Sequence, residues 1–427
     1  MAYYSNQTPE YAQVNNGSNN YQPQPRQRKR RKKVGLLSKI RNSISGGSFD
    51  YILFLIVIGL ATAGVCMILS ASFYNAIDKY GDGYYYFTRQ LRFAMIGLVV
   101  MLIISKIDYL VRRRFAFWAY LVSIGLQVWS IFNGLSEGGA SRWIEIGGVN
   151  FQPSELLKIA TVMYLALFLE KRTKTEDYPR IEGESNFVRF FRIWKKELIV
   201  LAISCFLIVI ENWSTAFVLG AVGMLMMGVA GMKIEKAIPW LLIFVALLYG
   251  FILIGGIGKL QEIMPAKYHR RLERFETWVD PFDDPIDTGY QTVQSLYAIG
   301  SGGITGVGLG KSKQKLGFIP DSQNDMIFCI ICEEFGLIGA IVLLSIFMFL
   351  IWRMARVSSH APDKFSSFLT FGILAIIAMQ VIVNVGVVTG TIPNTGQPLP
   401  FISYGGTSLL MFMASMGIVL NVSRYTD

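Results

Sequence analysis

The chain has 427 residues, 52% of them apolar, and 40 Lys and Arg stand against 29 Asp and Glu for a formal charge of +11. Repeated apolar runs near the length needed to cross roughly 30 Å of hydrocarbon exclude a soluble globule and point to a polytopic membrane protein. Two histidines, and four cysteines that all fall in apolar runs, argue against a Cys/His metal cage or a disulfide framework.

Residues 1–49 are rich in Asn, Gln, Tyr and Pro and carry the basic run Arg26 to Lys33. No apolar stretch leads to a small-residue cleavage site, so this segment reads as a disordered cytoplasmic tail rather than a signal peptide. Its cations lie just before the first span, where the positive-inside rule and an anionic lipid surface favour them, so no nucleic-acid partner is expected.

Apolar spans follow at about 51–73, 91–107, 115–132, 154–170, 198–211, 214–231, 238–256, 326–352, 367–389 and 407–423. The expected fold is therefore all-α, with ten transmembrane helices in one membrane domain over residues 50–427. The fifth span is short, consistent with a tilt or a break near Glu211. With the tail inside, the inside segments carry Arg112, Arg113 and Arg114, then the basic stretch Lys171 to Lys196, then Lys233, Lys236, Arg353, Arg356 and Arg424. That pattern places both termini in the cytoplasm. Three loops then lie outside: Phe132 to Pro153, Ile257 to about Asp325 between spans seven and eight, and Gly390 to Gly406.

The first outer loop leads into span four and supplies Arg142, Gln152, Glu155 and Lys158. If a helix begins near Pro153, Glu155 and Lys158 share one face near its outer end, where ionised groups are costly unless paired or used. A plain structural pair is the simpler reading. Arg89, at the outer end of span two, is a further cation that could instead snorkel to head groups.

The large outer loop crowds Asp280, Asp283, Asp284 and Asp287. Like charges raise the pKa of the least solvated member and make it a better proton acceptor. Asp-Pro pairs also simply turn the chain. The glycine run that follows has Thr305 where a phosphate-binding loop needs its first glycine, so a flexible amphipathic segment at the membrane surface is expected instead. Glu333 and Glu334, inside span eight, suggest either hydrogen-bonded carboxylates or a proton relay.

The third outer loop, within Asn384 to Leu410, breaks an apolar sequence with Pro393, Pro398 and Pro400. Non-helical backbone at membrane depth persists only where protein or a water-filled cavity surrounds it. Asn394, Thr395, Gln397, Ser403, Tyr404 and Thr407 are short donors and acceptors that suit a ligand or neighbouring backbone. A Pro-rich hairpin is the plainer alternative.

Four segments, GASRWIEIGG with QPSELLK, DPFDDPIDTGYQTVQSLYAIGSGG, GVGLGKSKQKLGFIPDSQNDMIF with EEFG, and IPNTGQPLPFISYGGTSLL, resemble the SEDS family of bacterial cell-wall proteins, the RodA, FtsW and SpoVE group. The basic tail and KSKQKLGFIP look closer to the division and sporulation branch. The resemblance implies a peptidoglycan glycosyltransferase that polymerises lipid II at the outer face of the plasma membrane, working with a class B penicillin-binding protein and with divisome or elongasome components. It implies Asp284 as the catalytic base, followed by Gln291, and Glu155 with Lys158 as the family's paired residues; from their chemistry and position, Arg89, Arg142, Gln152 and Ser403 are expected to join Glu155, Lys158 and Gln291 in the substrate site. A divalent cation, Mg or Mn, on the pyrophosphate and no organic cofactor are expected. Glu211-Asn212-Trp213-Ser214-Thr215 and Gln323-Asn324-Asp325 depart from the family's usual wording. A lipid II flippase and a non-catalytic scaffold are the rival readings; the flippase would place Glu211, Glu333 and Glu334 along a transport path.

Overall fold

The computed structural model describes residues 49–107, 109–137, 140–146, 149–173, 185–232, 278–283 and 289–426. The basic tail, the seventh apolar span and Asp284 with Asp287 lie outside the described residues.

Helix α1 (Tyr51–Tyr80) opens where the Asp50 carboxylate accepts the Leu53 N–H at 3.0 Å, and it closes on Gly81 at φ 72°. Helices α2 (Tyr85–Lys106) and α3 (Tyr109–Asn133) follow. The loop after α3 is not plain coil. It forms three short antiparallel strands in the order β1 (Leu135–Glu137), β2 (Ala140–Ile146) and β3 (Val149–Phe151), in which Ile144 pairs with Phe151. Pro153, which has no N–H to lose at a first helical position, then starts α4 (Pro153–Thr173).

Helix α5 (Asn186–Val209) begins well before the apolar run expected at 198–211. Ser185 caps it, and its first turns are amphipathic and basic. The chain breaks at Ile210 to Asn212, next to Glu211, and Asn212 caps α6 (Trp213–Val229) through the N–H groups of Ser214 and Thr215 at 3.1 and 3.2 Å. Helix α7 (Tyr290–Gly302) forms within the large loop before the eighth apolar span. Helices α8 (Ile327–Ser359), α9 (Lys364–Val388) and α10 (Gly406–Ser423) complete the bundle.

Ten helices are present among the described residues, but they are not the ten spans expected. The short α7 is one of them, and the seventh apolar span lies outside the description. Among the described residues six helices, α1, α2, α3, α8, α9 and α10, are both long and apolar enough to cross a membrane. Helix α4 misses that criterion because it carries Glu155, Lys158, Glu170, Lys171 and Arg172.

Helices α9 and α10 form the centre. In each, 72% of the most apolar window is buried inside the protein, against 17% in α2, so α2 leaves most of its surface uncovered by the rest of the bundle. Helix α10 packs against α2, and α9 packs against α4, α6 and α8.

The glycine run after α7 does not lie free on the membrane surface. Helix α8 has a non-helical residue, Gly336, at φ 65° and ψ −165°, and the break exposes backbone groups that the run satisfies. Val307 N–H donates to Glu333 O at 3.0 Å, Gly308 N–H to Glu334 O at 2.9 Å, and Leu337 N–H to Gly303 O at 2.9 Å. Gly306, at φ 80°, is needed here, because a Cβ on it would collide with the Glu334 carbonyl.

Glu333 and Glu334, just before the break, are both hydrogen-bonded within the protein. Glu333 accepts from the Ser312 hydroxyl and from the N–H of Lys313 at 2.9 Å. Glu334 accepts from the Ser70 hydroxyl at 2.7 Å and pairs with Lys315 Nζ at 2.7 Å.

Between α9 and α10 the backbone at Phe401 takes φ 65°, an uncommon conformation for a bulky side chain that is held by its surroundings. Helix α1 supplies that constraint through Gly64, where a Cβ would strike the Phe401 carbonyl and come within 2.8 Å of Ile402 Cα. Gly64→Ala is expected to lower stability by about 1–3 kcal/mol. Gly59→Ala, where a Cβ meets nothing within 4 Å, should leave the melting temperature in detergent unchanged or slightly raised. Equal melting temperatures for the two variants would contradict this close approach.

Candidate active site

Two of the expected site residues meet in the first turn of α4. Lys158 Nζ lies 2.8 Å from Glu155 Oε1, and the two residues are 1% and 5% exposed. Spacing of three residues on a helix puts both side chains on one face, and burial removes the water that would otherwise screen them. Lys158 carries three donors, and Glu155 is its single hydrogen-bond partner among the described residues. The pair borders a narrow pocket, walled by Ile373 and Ile377 of α9 and by Met411, Phe412 and Ser415 of α10. An ammonium with unspent donors at the edge of an apolar pocket suits an anionic group attached to a hydrocarbon.

The loop between α9 and α10 forms a second polar centre around Gln397. Its side-chain N–H₂ donates to Thr215 Oγ1 at 2.6 Å, its side-chain oxygen accepts from Gln380 Nε2 at 3.2 Å, and its carbonyl accepts from Asn384 Nδ2 at 2.8 Å. Asn384 also donates to Asp325 O at 2.7 Å, which ties the start of α8 into the same centre. Ser214 donates to Thr395 O at 2.8 Å. The loop is therefore an interior structure held by α6, α8 and α9, not a surface hairpin. This satisfies the requirement for irregular backbone at membrane depth.

The far end of the loop is held by α2. Gln90 Nε2 donates to Ser403 O, and Gly405 N–H donates to Gln90 Oε1, both at 3.3 Å. Arg89 is exposed, with its guanidinium 4.8 Å from the Tyr85 ring centre. Burial pushes the Tyr404 phenol above its usual range, against the pull of the charged, hydrogen-bonded Arg89 beside it, so the phenol stays protonated at neutral pH.

The remaining expected residues are distributed around these two centres. Gln152 lies between β3 and α4, where its carbonyl accepts the Glu155 N–H at 3.2 Å. Arg142 lies in β2, whose partner β3 leads directly to Gln152 and α4. Gln291 accepts from Asn394 Nδ2 at 2.8 Å, and Ser403 Oγ accepts the Leu399 N–H at 2.8 Å, so both engage the α9–α10 loop. Asp280 turns the chain by accepting the Phe282 N–H at 3.1 Å, and Asp283 is exposed.

Sequence reasoning passed over Gln90, Gln380 and Asn384, the amides that hold the loop. Each is a buried amide, and Gln380 and Asn384 stand alone in an apolar helical run, which was the available signal; Gln90, between Arg89 and Arg92, gave none. It also passed over Trp278, whose indole N–H donates to Gly390 O at 3.0 Å, and Lys315.

Residues 51–427 match the model of the FtsW/RodA/SpoVE family, described as cell cycle proteins. The chain is 37% identical to stage V sporulation protein E of Bacillus subtilis, over 88% of this chain and 97% of that one. It is likewise 37% identical to the probable peptidoglycan glycosyltransferase FtsW of Geobacter metallireducens, over 88% and 94% of the two chains. Among solved structures it is similar in fold to a chain from a peptidoglycan synthase complex that coordinates polymerisation and crosslinking, at a TM-score of 0.67 and 23% identity over 89% of this chain and 99% of that one. It is also similar to the rod shape determining protein RodA of Thermus thermophilus, at a TM-score of 0.60 and 22% identity over 89% and 98% of the two chains.

Proposed function

Because the chain belongs to the FtsW/RodA/SpoVE family of cell cycle proteins, we propose that it is a peptidoglycan glycosyltransferase of the plasma membrane that polymerises lipid II, most closely allied to the division and sporulation branch. The observation that carries the chemistry is the buried Glu155–Lys158 pair, 2.8 Å apart at the edge of an apolar pocket.

A glycosyl pyrophosphate already has a good leaving group, so one base and fixed cations suffice and a second carboxylate is unnecessary. Asp284 takes the proton from the acceptor's 4-hydroxyl while that oxygen attacks the donor's anomeric carbon. The bond from that carbon to the lipid pyrophosphate breaks, the configuration inverts, and the electron pair leaves with the pyrophosphate. Lys158, Arg142 and Arg89 balance the charge that develops there, where fixed cations in a partly dry site act most strongly. Glu155 orients Lys158, and Gln152 positions the first turn of α4.

A divalent cation would ride on the lipid's own phosphates. Among the described residues no group of three or more His, Cys, Asp or Glu converges to cage one. The site faces outward with both termini in the cytoplasm, and a class B penicillin-binding protein is the partner with which divisome or elongasome components would assemble.

A transport path would need its buried acids available. Glu333 and Glu334 are instead held by the 312–315 turn and Ser70, and Glu211 accepts from Ser130 Oγ at 2.9 Å. The deciding experiment supplies lipid II to the purified chain with its penicillin-binding protein and looks for glycan strands. A flippase would move lipid II between leaflets and make no strand. In the same assay Arg142→Ala should lower the rate by about 10-fold or more, with only partial recovery at saturating lipid II, since leaving-group stabilisation acts on the transition state more than on binding. Full recovery would make Arg142 a binding residue alone.

A further inference from the structure

Two serines beside the Glu155–Lys158 pair have buried hydroxyls with no partner. Ser154, 1% exposed, precedes Glu155 in the first turn of α4, and Ser408 lies in the first turn of α10; both hydroxyl oxygens are shielded from solvent and unbonded. Ser415, two turns further along α10, shows the usual arrangement, in which its hydroxyl donates to Met411 O at 2.8 Å. A first-turn serine has no helical carbonyl four residues behind it to use in this way. A buried hydroxyl left unbonded is costly, so two at one place need a reason.

Helix spacing brings the two to one level. Thr407 Oγ1 donates to Asn150 O at 3.3 Å at the start of both helices, and further along both, Lys158 shares a pocket with Met411, Phe412 and Ser415, so α4 and α10 run in the same direction there. Ser154 is four residues before Lys158 and Ser408 four before Phe412. Each therefore stands one turn back on the face that lines the pocket. Packed helices lie about 8–10 Å apart, a separation that one tetrahedral group bridges by accepting from a hydroxyl on either side. No side chain caps α10, and the first-turn N–H groups of both helices carry partial positive charge. Lys158 adds an ammonium whose only bonded partner among the described residues is Glu155.

We propose that Ser154 and Ser408 are phosphate-binding residues that, with the first turns of α4 and α10 and with Lys158, cradle the pyrophosphate of an isoprenoid-linked sugar. The phosphate oxygens accept from both hydroxyls, which supplies the bonds the two serines lack. Ile373, Ile377 and Phe412, one turn on, give the apolar surface that a hydrocarbon-linked phosphate needs and a free ion does not. This assignment deepens, and rests on, the reading of the chain as a lipid II polymerase. In that reaction the cradle holds the leaving group, and its hydrogen bonds strengthen as the bond from the anomeric carbon to the pyrophosphate oxygen breaks and charge gathers on the phosphate.

The test uses the full chain in detergent and reads its melting temperature with and without undecaprenyl pyrophosphate, then its polymerisation of lipid II beside the penicillin-binding protein partner. Ser154→Ala and Ser408→Ala each remove an unbonded hydroxyl, so without ligand each should melt at the native temperature or slightly above it. Each should nonetheless bind undecaprenyl pyrophosphate about 10-fold more weakly or worse, and polymerise about 10-fold more slowly or worse. A merely structural serine would not move stability and ligand retention in opposite directions. Ser408→Thr keeps the hydroxyl and should bind within about threefold of the native chain. Ser72→Ala removes a buried hydroxyl that donates to Ile68 O at 2.7 Å in α1, and should alter neither binding nor rate.

Inorganic pyrophosphate and phosphatidylglycerol, tried in place of undecaprenyl pyrophosphate, separate the sources of the phosphate. Equal protection by phosphatidylglycerol overturns the isoprenoid pyrophosphate as occupant, and equal protection by inorganic pyrophosphate overturns the part given to the hydrocarbon. A native chain that undecaprenyl pyrophosphate does not protect, or unaltered affinity in both Ala variants, overturns the cradle. The two readings also fail separately. A native chain that binds undecaprenyl pyrophosphate through both serines but makes no strand from lipid II keeps the cradle and loses the polymerase, whereas strands made at the native rate by both Ala variants sink the cradle alone.

Discussion

Asp284→Asn is expected to reduce polymerisation of lipid II by roughly 10²- to 10⁴-fold, the usual cost of removing a general base, while insertion and partner binding persist. The change exchanges one oxygen for an amide nitrogen, so volume and the capacity to turn the chain are nearly kept. Only the ability to take a proton is lost. Neighbouring acids provide the contrast. Asp280→Asn retains a side-chain oxygen for the Phe282 N–H, and Asp283 is exposed to solvent, so both Asn variants should polymerise at near the native rate. An active Asp284→Asn enzyme beside an inactive Asp280 or Asp283 variant would move the base elsewhere in the cluster.

Lys158→Met should be damaging in two separable ways. It leaves the Glu155 carboxylate buried without its counter-charge, and breaking a buried pair in this manner costs about 3–5 kcal/mol unless the carboxyl takes up a proton. It also removes the ammonium that faces the pocket, for which a rate loss of about 10²- to 10³-fold is expected, the scale seen when a fixed donor to developing negative charge is removed.

Glu155→Gln combined with Lys158→Met removes both charges and should recover most of the lost stability, measured as the melting temperature in detergent, without recovering the rate. A double variant that regains both would reduce the pair to a structural tie between turns of α4. Saturating lipid II should rescue the single variant only in part.

The charge and hydropathy of the chain were enough to read a multi-pass helical membrane protein, and the start of α4 at Pro153 with its Glu155–Lys158 pair was legible from helix spacing alone. Other features were not. The run at 198–211 looked like a short span because hydropathy sees only apolar side chains. Helix α5 extends back to Asn186 on an amphipathic, basic turn that a cap at Ser185 begins. The three strands after α3 escaped notice because they are short and their pairing is a relation between segments.

The same distinction runs through the site. The sequence by itself determined which residues could carry charge at the ends of the apolar helices, because an ionised or amide group among apolar neighbours is costly enough to need a reason, and that cost is visible one residue at a time. It also determined that the proline-broken stretch between the last two spans could not be left to lipid. Which groups meet was decided only by tertiary structure. Gln397 reaches Thr215 across 182 positions, Trp278 reaches Gly390 across 112, and Ser70 reaches Glu334 across 264. Bonds of that kind depend on the order in which helices pack and on the close approach that Gly64 permits at Phe401. No local periodicity encodes them, since each partner's own stretch of chain would look the same if the other were absent.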